Sequence, residues 1–370
     1  MPVPVPTANN NHQAAPINYL IHKASPKLLP MTAVVLLLVT APSPAQDRAI
    51  EATLAASEEA ADAGRLSAAE ALAREAIAAA HAEGSLRLAA DAQRRLGQVL
   101  IDLNRYPEAG AALRQSLATL EPLGQSESLG RTLASMALVH RYQADYPSAL
   151  EWLRRAEQIF IAAGDDTDLQ ETYNSFGVIY DLMGQQDRAL EWHSRSLELA
   201  RELGDISAIA DGIYAIGEVH RALGEHDLAL DYFRESLALD KASGLSRNIA
   251  YSQIKVGATL IELGHRVEAR SQLEAAFSLF ADIDAPRDYQ WARANLAFLT
   301  ALEGNVDPAR EELKDVLSRS LAADWPRLAN HSREWLVKLE LQAGNPATAL
   351  AHLDDVLRDA LEQQALRRAL

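Results

Sequence analysis

From residue 50 onward the apolar residues return every three or four places, the spacing that lays a single stripe along an α-helix. The whole pattern then returns after 40 residues. The stretch GVIYDLMGQQDRALEW, residues 177–192, reappears as GEVHRALGEHDLALDY at 217–232, keeping both glycines, the Ala-Leu pair and the aromatic end. Stepping by 40 from Ala189 reaches Ala69, Ala109, Ala149, Ala229, Ala269, Ala309 and Ala349, so every register holds alanine. Five residues earlier stand Gly64, Asn104, Ala144, Gly184, Gly224, Gly264, Gly304 and Gly344, mostly residues that tolerate a left-handed backbone. Seven residues before these the chain is small at Ser57, Gly97, Ala137, Gly177, Gly217, Gly257 and Ala297, and departs only at Val337. Eight registers without an insertion predict repeats at 50–89, 90–129, 130–169, 170–209, 210–249, 250–289, 290–329 and 330–370.

Each unit reads as two helices. The first ends at the glycine-type position, and Pro107, Pro147, Pro308 and Pro346 mark the start of the second, where a missing N–H costs nothing. Asp187, Asp227 and Asp307 stand there as N-caps or first-turn acids. Gly84, Gly124, Gly164, Gly204 and Gly244 close the second helix as left-handed caps, and Asp284 and Asp324 take that place later. Small residues at fixed positions let two antiparallel helices approach closely, as Gly177, Ala189, Gly217, Ala229, Gly257 and Ala269 would do, while Gly184, Gly224 and Gly264 make the turns. Larger residues fill the remainder: Leu96, Met136, Phe176, Ile216 and Val256 on first helices, Leu113, Leu153, Phe233, Leu273, Leu313 and Leu353 on second ones. A helix pair alone cannot bury such a face, so neighbouring pairs must stack.

Tyr173, Phe176, Gly177, Tyr180, Gly184 and Ala189, with Ser196 seven residues on, resemble the tetratricopeptide repeat (TPR) pattern. The period of 40 instead of about 34 is similar to the longer TPR arrays of bacterial regulatory proteins. Repeats one, seven and eight depart from it, with Ala60, Thr300 and Glu340 at the aromatic position. The resemblance implies an all-α, right-handed α-solenoid of about eight repeats whose inner wall is made by the first helices.

Composition changes this picture little. The 370 residues are 48% hydrophobic and 23% charged, with a net charge of −16 that disfavours nucleic acid as a partner. There is no cysteine, which excludes disulfides, thiolate metal sites and a cysteine nucleophile. Residues 1–45 are different in kind: a Pro- and Asn-rich start, Lys23 and Lys27, an apolar run at 28–39, and Ser43 and Ala45 before Gln46. These read as a disordered leader plus a signal peptide cleaved after Ala45, giving a periplasmic or secreted chain. The alternative is a membrane anchor at 28–39, although 12 apolar residues are fewer than a stable span needs. Loss of the two lysines would take the charge from −16 to −18.

Catalytic motifs are absent: the chain has no phosphate-binding GxxxxGK, no GxSxG and no HExxH, so it is expected not to be an enzyme and to need no cofactor or metal. His140, Tyr180 and His220 stand 40 apart, a line that reads as aromatic packing more readily than as ligands. His193 falls at an interior position. Adjacent carboxylates such as Asp165 and Asp166 or Asp354 and Asp355 point about 100° apart on a helix and read as solvated faces.

By resemblance to TPR proteins, the second, fifth, ninth and twelfth places of each first helix line a concave groove. These are Arg94 and Gln98, Arg141, then Glu171, Asn174, Val178 and Asp181, then Asp211, Tyr214, Glu218 and Arg221, then Tyr251, and finally Trp291 and Phe298. They differ from repeat to repeat while the packing positions stay fixed, as a peptide-binding wall requires. A Lys/Asn clamp for a terminal carboxylate is not found, since Asn174 stands without a lysine beside it. The expected function is a protein-interaction scaffold with a protein or peptide partner. The alternative is a sensory input module for a diguanylate cyclase or histidine kinase type of system. Leu350, Leu353, Val356, Leu357 and Leu361 leave the last helix without a polar cap, which suggests self-association through that end.

Overall fold

A computed structural model describes residues 44–369 apart from positions 284 and 324. The leader up to residue 43, with its apolar run, and the capping positions Asp284 and Asp324 lie outside the described residues. Helices α1 (Pro44–Asp62) and α2 (Leu66–Glu83) form the first pair, α3 (Leu86–Asp102) and α4 (Tyr106–Leu120) the second, and α5 (Glu127–Tyr142) and α6 (Tyr146–Ala163) the third. There follow α7 (Asp166–Leu182) with α8 (Gln186–Leu203), α9 (Ile206–Ala222) with α10 (His226–Ser243), and α11 (Ser246–Glu262) with α12 (Arg266–Asp282). The last pairs are α13 (Pro286–Leu302) with α14 (Val306–Ala322), and α15 (Pro326–Gln342) with α16 (Pro346–Ala369). No strand occurs among the described residues. The frame counted from 50, 90 and 130 opens about one turn inside each first helix.

The turn inside a pair takes three residues. At Gly184, φ is +70°, its N–H bonds to Asp181 O at 2.8 Å, and the next N–H, that of Gln185, reaches back to Tyr180 O at 2.9 Å. This double return satisfies carbonyls that the helix end leaves open. Ala144 makes the same turn at φ +58° with a side chain that this region penalises. Ala144→Gly is therefore expected to stabilise the protein by about 0.5 kcal/mol, the relieved strain less the extra freedom of an unfolded glycine. A rise in the urea midpoint at unchanged slope would show it, and a fall would refute the strain at this turn.

Two terminal features differ from the sequence expectation, and a third is decided between its two alternatives. Gly124 is not a left-handed cap: Pro122 has no N–H to continue the ladder, α4 stops at Leu120, and a 3₁₀ turn leads to Gly124 at φ +93°, ψ −174°. Asp187, Asp227 and Asp307 are first-turn acids, whereas side-chain caps come from Ser126, Asp145, Asp165 and Asp205. Asp165 is thus more than a solvated carboxylate, for it also accepts from Arg131 at 3.4 Å. Leu353, assigned to the interior, is 47% exposed because no further helix covers α16 among the described residues; Leu350, Leu357 and Leu361 share that face.

The small positions carry the packing. The recurrent alanines from Ala69 to Ala349 are at most 1% exposed. At the small position of the first helix, a Cβ on Gly97, Gly217 or Gly257 would lie 2.7, 2.9 and 2.7 Å from Leu113, Phe233 and Leu273. Successive first helices touch, as in α1 with α3, α3 with α5, α11 with α13 and α13 with α15, whereas successive second helices do not to a comparable extent. The first helices therefore lie on the inside of the curve, and the stack is a right-handed α-solenoid. Salt bridges tie neighbouring repeats along the surface, among them Arg155 to Glu121 at 2.8 Å and Arg234 to Glu268 at 2.6 Å. Exposed pairs of this kind contribute about 0 to 1 kcal/mol each, so the stack rests mainly on the apolar interior.

Candidate functional site on the concave wall

Four of the groove residues read from the sequence meet in one place. Tyr214, Glu218 and Arg221 project from successive turns of α9, and Asp181 from the end of α7. Glu218 accepts from Arg221 Nη2 at 3.1 Å, and its other oxygen lies 3.2 Å from Nζ of Lys255 on α11. The Lys255 ammonium also sits 5.6 Å from the centre of the Tyr214 ring. Burial pushes the Glu218 carboxyl up, but Lys255 and Arg221 outweigh it and hold it below the usual range. Burial likewise favours the neutral form of Lys255, yet Tyr214 and Glu218 keep it charged. Asp181 is raised, chiefly by burial and then by the nearby Glu218. This is a network of mutually dependent charges, each expensive to leave alone.

Lys255 escapes the periodic reading because it stands one place past the fifth position of its helix. A signal existed: between Asn248 and Ile261 it is the single charged residue in an otherwise uncharged segment. Lys255 pairs with Glu218 and not with Asn174, whose amide oxygen faces His193, so the two do not form a Lys/Asn clamp.

Toward the C-terminal repeats the wall turns aromatic. Trp291 packs on His331 with centroids 4.4 Å apart, and Phe298 stacks on Trp335 at 3.9 Å and 20°. Trp335 Nε1 donates to His331 Nε2 at 2.7 Å, which makes that nitrogen an acceptor and the ring neutral. The His331 pKa is pushed down to about 3 by burial first and then by Lys255, Lys338 and Arg221. His331 and Trp335 were not singled out from the sequence, since repeat eight fits the pattern loosely. Beside them a cleft of about 250 Å³ opens between α11, α13 and α15.

The remaining groove residues are dispersed. Arg94 donates to Gln98 one turn on at 3.3 Å, and burial lowers its pKa. Arg141 lies 4.6 Å over the Tyr142 ring. Val178 is half-buried one turn from Asp181. Tyr251 spends its hydroxyl on the buried Asp288 at 2.5 Å, a joint that Arg247 completes at 3.1 Å, so it is a structural link more than a free wall residue. Asn174 is drawn to the interior, its Oδ1 lying 2.9 Å from His193 Nδ1. His140 and His220 stack on Trp152 and Tyr232, and each bonds a carboxylate five residues on, Asp145 at 3.0 Å and Glu225 at 2.6 Å. Those two carboxylates were overlooked in the sequence. No three His, Cys, Asp or Glu gather as a metal site among the described residues.

His193 gives a pH prediction. It is 2% exposed, and burial lowers its pKa to about 4. The unfolded chain takes up a proton near pH 6.5 while the folded one resists, so stability is intact above that pH and falls as the pH drops toward 4. Relative to its value at neutral pH, His193 alone is expected to remove about 3 kcal/mol by pH 4. His193→Leu should flatten that part of the urea-midpoint profile, and an unchanged profile would exclude the assignment.

Among the described residues, a curved stack of eight helix pairs with recurrent small contacts and a variable inner wall defines a helical repeat protein. The tetratricopeptide repeat model matches residues 88–162, 128–202 and 208–282, and the chain belongs to this family. No curated protein matches it. Among solved structures it is similar to the STAND signal-transduction ATPase with a tetratricopeptide repeat sensor from Pyrococcus horikoshii. There the TM-score is 0.59 at 16% identity over 82% of this chain, which spans only 47% of that protein. A Rap protein complexed with competence and sporulation factor gives TM-score 0.62 at 15% identity, covering 85% of this chain and 99% of the Rap chain. The Rap conjugation regulator of plasmid pLS20, in complex with the Phr* peptide, gives 0.62 at 16% identity, covering 79% and 78%. At these identities the likeness is one of fold.

Proposed function

We propose that this protein is a non-catalytic interaction scaffold that holds an extended peptide or protein segment along the concave wall of repeats four to eight. The observation that carries the reading is the juxtaposition of the Asp181, Tyr214, Glu218, Arg221 and Lys255 cluster with the aromatic stretch of Trp291, Phe298, His331 and Trp335. Charged groups fix register and specificity while buried aromatics supply affinity, the division found in binding surfaces generally. The Rap proteins complexed with competence and sporulation factor and with the Phr* peptide support it by fold. Export, with cleavage after Ala45, belongs to the same proposal, and the mass of the mature N-terminus tests it. A second reading, a sensory input module, draws on the TPR sensor of the STAND ATPase.

The deciding experiment compares captures from a periplasmic extract by wild type and by Tyr214→Ala/Arg221→Ala. The double variant is expected to lose at least tenfold of the bound partners, as removal of two central contacts would give. Identical partner lists at equal folded content would remove the groove.

A further inference from the structure

The cleft between α11, α13 and α15 has an apolar floor of Ile261, Phe298, Leu302 and Trp335. Its volume of about 250 Å³ suffices for one large side chain. The polar groups at the rim are unequal. Glu262 is engaged by His226 at 3.1 Å, and Arg266 donates to the carbonyl of Leu302 at 2.5 Å. Lys338, which lies 4.3 Å over the Trp335 ring, has no acidic partner among the described residues. Deeper along the wall Arg221 and Lys255 share Glu218, and the depressed His331 registers all three cations. In a chain of net charge −16, this exposed ammonium stands above an apolar cleft with no acid among the described residues to offset it.

We infer that this cleft is a specificity subsite for a peptide carrying a large apolar residue beside an aspartate or glutamate. The apolar side chain enters against Phe298 and Trp335, and the neighbouring carboxylate meets Lys338 at the rim. The inference rests on the groove reading and narrows it to a peptide chemistry. Rings desolvate the pair on one side and so strengthen the carboxylate contact relative to an exposed ion pair. An acidic residue without the apolar one would meet only the exposed ammonium, and an apolar residue beside a lysine would meet repulsion.

The test uses the full chain, immobilised, and random peptides displayed on phage and fused through their C-termini, so that any carboxylate comes from Asp or Glu side chains. Wild type is expected to enrich peptides with Phe, Leu or Trp next to Asp or Glu. Lys338→Glu, an exposed position that leaves the interior untouched, is expected to weaken amidated synthetic copies of those peptides at least tenfold and to shift enrichment toward Lys or Arg beside the apolar residue. Peptides whose binding falls in Tyr214→Ala/Arg221→Ala but is indifferent to Lys338→Glu would overturn the subsite and leave the groove standing. No enrichment over uncoated wells would overturn both.

Discussion

Gly177→Ala is expected to destabilise the protein by about 2 kcal/mol, a large loss for the addition of one methyl group. The new Cβ would lie 2.6 Å from Cε1 and Nδ1 of His193 and 2.7 Å from Nε2. That ring cannot swing away freely, because it is 2% exposed and held by Asn174 at 2.9 Å. Either α7 and α8 separate or the ring leaves its rotamer, and both lose contacts throughout a close-packed interior. The double variant Gly177→Ala/His193→Leu should recover most of the loss, since repeat three already places Ala137 and Leu153 at these positions within one buried cluster. Gly184→Ala is the control: its Cβ meets nothing within 4 Å, so its cost of about 1 kcal/mol comes from φ alone and no partner substitution rescues it. Urea midpoints for the three variants decide the matter. A loss below about 0.5 kcal/mol for Gly177→Ala would mean that the small position does not set the distance between helices.

Lys255→Met is expected to cost about 2 to 3 kcal/mol, although methionine fills nearly the same volume. The change leaves Glu218, whose side chain is 23% exposed, with Arg221 alone to balance a charge already drawn from water. Removing both partners in Lys255→Met/Glu218→Leu should cost less than the single change, because no half-buried carboxylate is then left without its ammonium. The coupling read from this double-mutant cycle separates a mutually dependent network from independent surface charges, which would give additive losses. Additivity within about 0.3 kcal/mol would overturn the network on α9 and α11.

The fold was largely legible because helical packing writes a period into the sequence. Positions 69 to 349 hold alanine since each is pressed against a facing helix, and burial at each register agrees. Where local chemistry interrupts the period, the reading failed for identifiable reasons. Pro122 ends α4 early and removes Gly124 from its expected role. Asp145 and Glu225 are five residues from the histidines they bond, a spacing across a turn that no helical periodicity reveals.

The groove was less legible. Its second, fifth, ninth and twelfth places are a one-dimensional rule, and four of the residues it picks, Asp181, Tyr214, Glu218 and Arg221, lie together in one charged cluster. Asn174 and Tyr251 stand at such places too, yet His193 and Asp288 claim their polar ends. A position on a helix fixes where a side chain starts; hydrogen-bond partners elsewhere in the chain decide where it ends.

The sequence of this protein by itself determined the helix pairs, their turns and the contacts between them, because those depend on residues within one 40-residue unit. Only the tertiary structure decided which wall residues act together. Lys255 reaches Glu218 from the next repeat, and Trp335 reaches Phe298 in the same way. Such neighbours are set by the stacking of successive first helices, a long-range arrangement that no single repeat contains.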